Sequence, residues 1–94
     1  MFNMTVYCAN DEYGENLIIA KSIKSLISYL IELDFFNDNT DIVVIKEDND
    51  CEWTTLKKFY GDCWKNTIAN LTVDELNDLF FKNGIIFSKK EVLE

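Results

Sequence analysis

Residues 22–45, SIKSLISYLIELDFFNDNTDIVVI, hold two periodicities side by side. In the first half, Ile23, Leu26, Ile27, Leu30, Ile31 and Leu33 recur every three to four residues, while Lys24, Ser25, Ser28 and Glu32 take the other face, the pattern of an amphipathic helix. Asn37-Asp38-Asn39-Thr40-Asp41 then collects side chains that hydrogen-bond their own backbone and favour turns. Ile42-Val43-Val44-Ile45 follows, a continuous β-branched run that reads as a central strand covered on both faces. A helix and a strand joined by a short polar turn set the fold class as α+β.

Working outward, Phe2 to Cys8 mixes β-branched and aromatic residues in partial alternation, and Leu17-Ile18-Ile19 returns after the acidic turn 10–16 as the second half of a hairpin. After 45, Glu47-Asp48-Asn49-Asp50-Cys51-Glu52 is too charged to bury and reads as a turn. Trp53, Leu56, Phe59 or Tyr60, Cys63 or Trp64, and Ile68 continue at helical spacing, interrupted by Gly61, which kinks or splits that helix. Thr72-Val73-Asp74-Glu75 is a capping box that opens a helix with Leu76, Leu79 and Phe80 on its apolar side. Asn83-Gly84 supplies a left-handed stop, Ile85-Ile86-Phe87 a last short strand, and Lys89 to Glu94 a frayed tail. The expected architecture is a small, mostly antiparallel sheet of three to four strands, from about 2–8, 16–19, 42–46 and 85–88. It packs against two or three helices near 22–35, 53–69 and 73–83, all in one domain spanning 1–94.

Composition narrows function. Seventeen acids face nine bases, all of them Lys, for a formal charge of −8, and the chain has no His, Arg or Pro. Without His, arrangements of Ser-His, Cys-His and His-metal type are excluded, and glycines at 14, 61 and 84 cannot build a phosphate loop. Cys8, Cys51 and Cys63 are odd in number and widely spaced, so each is read as a small buried or half-buried apolar side chain, not as part of a disulfide framework or zinc set. A calcium loop starting at Asn37 or Asp38 would put Ile42 or Val43 where Gly is needed and lacks the bidentate Glu at its end. The reading is therefore of a non-enzymatic chain with no cofactor and no metal.

Trp53, Trp64, Phe59 and Tyr60 could stack on single-stranded nucleic acid, but their helical spacing points to a core, and a net acidic chain with only Lys as cation repels a phosphate backbone. Nothing in 1–8 has the basic start and apolar core of a signal peptide, and no apolar stretch reaches membrane-spanning length. Abundant Asn, Ile and Lys fit AT-rich coding. The expectation is a cytoplasmic protein of a bacterial or phage-infected cell.

The acids are unevenly spread: residues 1–15 carry −3, 16–36 are neutral, 37–52 carry −5, 53–71 carry +2 and 72–94 carry −2. Asp11, Glu12 and Glu15 in one turn, and Asp38, Asp41, Glu47, Asp48, Asp50 and Glu52 around the second strand region, are the candidate partner-binding residues. If strands 2–8 and 42–45 are neighbours, the acidic turns share a face that docks the basic groove of a protein partner, with binding that weakens in salt. In size and charge the chain resembles small acidic inhibitors of host nucleases and CRISPR effectors from low-GC phages and mobile elements, some of which mimic DNA; the likeness is compositional and carries no residues over. The alternative is a small interaction or assembly module that uses an apolar patch, its acids serving only solubility.

Overall fold

A computed structural model describes residues 3–11, 13–48, 50–80 and 83–93. The chain folds as α+β. Strand β1 (Asn3–Asp11) turns back through Gly14 into β2 (Asn16–Ala20), and helix α1 (Ile23–Glu32) follows, capped by the Ser22 hydroxyl accepting the Ser25 N–H. Strands β3 (Asp41–Ile45) and β4 (Cys51–Thr55) form a hairpin. Next come short helix α2 (Leu56–Tyr60), a 3-10 turn at Gly61–Cys63, and helices α3 (Trp64–Ala69) and α4 (Val73–Phe80). The long strand β5 (Ile85–Leu93) returns antiparallel to β1.

The strands make two sheets, a three-stranded antiparallel β2-β1-β5 sheet and the separate β3-β4 hairpin, so the expected neighbourhood of 2–8 and 42–46 does not form. The region 51–55, read above as turn and helix start, is a strand: Trp53-Thr54-Thr55 are aromatic and β-branched, and they find partners in Val43, Ile42 and Asp41. Helical structure starts only at Leu56, where the Thr55 hydroxyl accepts the Lys58 N–H, and Gly61 at φ +78° divides what the sequence reads as one helix. With β4 as its one partner among the described residues, β3 is not a central strand; Ile42 and Val43, which point to opposite faces, are both buried, but the cover does not reach Ile45, which is 61% exposed. Residues 89–93 belong to β5, with Val92 opposite Met4 and Glu91 opposite Thr5, so the expected frayed tail is ordered by cross-strand pairing.

Helix α1 stops three residues short of its expected end. Asp34 adopts the left-handed conformation (φ 63°), its N–H bonding Ile31 C=O and the Phe35 N–H bonding Leu30 C=O, the two bonds of a Schellman termination. This reversal leaves Phe35 outside and drops Phe36 into the core, stacked on Phe80 of α4 at 4.5 Å between ring centroids and 6.3 Å from Phe87 of β5. Around these rings Leu26, Leu30, Ile42, Leu56, Trp64, Ile68 and Leu76 close one continuous core between the inner face of the sheet and the helices. The capping box forms as read, with Glu75 N–H donating to Thr72 Oγ1 and Thr72 N–H to Glu75 Oε1. Of the cysteines, Cys8 is buried whereas Cys51 and Cys63 are exposed and free, so the buried or half-buried reading fails for those two.

A clamp locks α4 to the outer edge of β5. Asn77 accepts the Phe87 N–H at Oδ1 (2.7 Å) and donates from Nδ2 to Phe87 C=O (2.9 Å), taking the place of a neighbouring strand. Substituting Asn77→Ala strands both backbone groups in a partly buried setting, and denaturant unfolding should show a loss of about 2 kcal/mol. Tyr60 offers a pH test: burial, reinforced by the Glu75 carboxylate, raises its phenol above the ordinary 10.0. The folded chain thus favours the neutral phenol, and that stabilisation is complete below pH 10 and lost as pH rises through the raised value. Tyrosinate absorbance should show a late-titrating component that disappears in Tyr60→Phe.

Candidate functional site

The fold places Asp11 and Asp41 on the walls of one cleft. Asp11 ends β1 directly opposite Ile85, the first residue of β5, and Asn83 just before it donates its side-chain amide to the Asp41 carbonyl at the start of β3. One end of the three-stranded sheet therefore abuts one end of the hairpin, and between them lies a cleft of about 730 Å³. The two carboxylates line it with Asn37, Asn39, Thr40 and the ring of Phe35, which is 44% exposed because Phe36 took the core position.

Local hydrogen bonds shape the walls. Asp11 Oδ1 accepts the N–H groups of Tyr13 and Glu15, each at 2.9 Å, which closes the β1–β2 turn and fixes the carboxylate at the rim. Asn37 Oδ1 accepts the Asn39 N–H and Thr40 Oγ1 accepts the Asn37 N–H, both at 2.8 Å, so the loop before β3 is a turn built by its own side chains. The same loop is tied to the body by Leu56 N–H to Thr40 C=O and Lys57 N–H to Asp38 C=O.

Elsewhere the candidate acids go separate ways. Asp38 accepts the indole N–H of buried Trp64 at 2.6 Å and stands 3.9 Å from Lys57 Nζ. Glu15 is exposed in the β1–β2 turn, and Glu12 lies outside the described residues. Glu47 and Asp48 line a separate shallow depression at the tip of the β3–β4 hairpin, and Asp48 accepts the Asp50 N–H. Glu52, on β4, pairs with Lys46 at 2.7 Å. Asp41 and the hairpin tip sit at opposite ends of β3, roughly 13 Å or more apart along the strand. The described acids thus divide between two ends of the hairpin, Asp11 and Asp41 lining the cleft and Glu47 and Asp48 the depression at the tip.

Phe35, Asn37, Asn39, Thr40 and Asn83 escaped the sequence reading. The signal was faint: two adjacent Phe residues after a helix cannot both face inward, and the Asn-rich turn was read only as a turn.

Among the described residues lining the cleft none is cationic, and carboxylates, amide oxygens and an exposed ring face together suit an ammonium or guanidinium group. Among the described residues, no three Cys, Asp or Glu side chains gather into a set that could hold a metal ion, and no helix is long and apolar enough to cross a membrane. Asp38 has a structural task, so Asp38→Ala, which leaves the buried Trp64 N–H without a partner, should lower stability by about 1–3 kcal/mol and alter Trp64 fluorescence. No family model, no curated protein and no solved structure matches this chain.

Proposed function

We propose that this chain is a non-enzymatic binding protein whose Asp11–Asp41 cleft receives basic side chains of a protein partner. The observation that carries the reading is convergence: two carboxylates from separate sheets meet beside an exposed Phe35 ring in a concavity whose described lining holds no cation. The overall charge of −8 adds long-range attraction, which speeds encounter with a basic surface and fades as salt shortens the screening length. A nucleic-acid channel of a nuclease or CRISPR effector is one basic groove with this chemistry, and an inhibitor acting there is the sharpest form of the proposal. Close mimicry of duplex DNA is a weaker fit, because one face of a 25 Å duplex shows about seven charges, while here Asp38 and Glu52 already have lysine neighbours.

A second reading keeps the acids for solubility and assigns contact to an apolar surface. It draws on Ile19, Ile86 and Val92, large apolar side chains exposed on the outer face of the sheet.

An oligo-arginine peptide separates the two readings by fluorescence anisotropy at low and moderate salt. The Asp11→Asn, Asp41→Asn double variant preserves the Asx turn through the amide oxygen while removing two charges, and should weaken binding roughly 5- to 30-fold at low salt, taking about 0.5–1 kcal/mol per lost charge contact. The Glu47→Gln, Asp48→Asn double variant should change it less than twofold. Equal effects of the two pairs, or salt-independent binding, would sink the cleft in favour of the apolar surface.

A further inference from the structure

Among the described residues, no helix or further strand covers the side of the β2-β1-β5 sheet turned away from the core. Strand alternation is unambiguous here: Tyr7 and Ala9 of β1, Ile18 and Ala20 of β2, and Ile85 and Phe87 of β5 face the core. The residues between them, Met4, Val6, Ile19, Ile86 and Val92, therefore line the opposite face, with Cys8 beneath its neighbours at 1% exposure. Ile19, Ile86 and Val92 are 55%, 50% and 44% exposed. The neutral polar residues of this face present little to solvent, since Asn10 Oδ1 and Ser88 Oγ are both covered. In a chain with seventeen acids, the described residues of this face include no carboxylate, and its one charge is Lys90.

The geometry points to a second copy of this chain as the occupant, packed sheet face on sheet face about a two-fold axis perpendicular to the strands. Three features favour self-association over a foreign partner. Two molecules of charge −8 repel almost everywhere, and a carboxylate-free apolar face is where they can approach at least cost. Charge also differs between the two ends of the face: Lys90, opposite Val6, lies towards the Asn3–Leu93 end, whereas exposed Glu15 lies at the β1–β2 turn. Val6 to Asp11 is five residues of strand, roughly 17 Å, so a two-fold that runs the strands of the two copies antiparallel sets each lysine end over the other copy's acidic turn.

The third feature is area. The chain exposes 6414 Å², against about 5,600 Å² for a compact monomer of 11.0 kDa. The excess, roughly 800 Å², is what each partner of a standard-sized interface buries. The molecule is elongated, 46 × 27 × 24 Å, and β2 pairs with Tyr7–Asn10 alone, which among the described residues leaves the Asn3–Val6 and Lys90–Leu93 ribbon without a third strand. Isologous stacking covers that ribbon and the exposed isoleucines in one step. This surface is distinct from the Asp11–Asp41 cleft and does not depend on that cleft having a ligand.

Sedimentation velocity and native mass spectrometry across micromolar concentrations test it directly on the full chain. The expected result is a dimer that Ile86→Glu weakens at least a hundredfold, with secondary structure and thermal unfolding of the monomeric variant showing that it still folds. Leu33→Glu, which alters an equally exposed apolar residue outside the sheet, should leave the dimer intact. Lys90→Glu and Glu15→Lys should each weaken association several-fold, and the double variant should restore it. A wild-type monomer at 100 µM, a dimer indifferent to Ile86→Glu, or charge swaps that fail to rescue would each overturn the proposal.

Discussion

The stack of Phe36 on Phe80 is the contact on which the other elements are arranged. Burying such a ring is worth about 2–3 kcal/mol, with about 1 kcal/mol more from aromatic pairing, and Phe87 completes the cluster from the sheet. The end of α1, the middle of the fold in α4 and the start of β5 are thereby joined at one point. Reaching it requires the left-handed turn at Asp34, which an aspartate tolerates better than a β-branched residue would. The same turn expels Phe35, starts the self-bonded loop 37–40 and aims β3, so the cleft wall follows from the packing of the core.

Charge in this chain is less free than its total suggests. Asp11 and Asp48 hold turns, Asp38 holds Trp64, and Glu75 completes a helix cap. Each is a carboxylate satisfying N–H groups that would otherwise depend on water, a local task that a charge count cannot reveal. The candidate acids are divided between the cleft end and the tip of the β3–β4 hairpin, and some at each end already hold a turn. The apolar outer face of the sheet stands apart from both, as a surface of opposite character on the same scaffold.

Where a residue's neighbours along the chain decide its state, the sequence was readable. The Thr72–Glu75 box, the Ser22 start, the apolar stripe of α1 and the β1–β2 hairpin are local bargains between side chains and nearby backbone, and they appear where periodicity and capping chemistry place them. Residues 51–55 and 89–93 were misread because their states come from strands far along the chain: Trp53 is extended because Val43 is opposite, and Val92 because Met4 is. Thus the amino-acid order alone determined an acidic α+β chain and most of its helices. Only tertiary structure decided that the strands split into two sheets, that Asp11 and Asp41 line one cleft, and that no described element covers one sheet face, since pairing between distant strands depends on a shared core and leaves no short-range periodic trace.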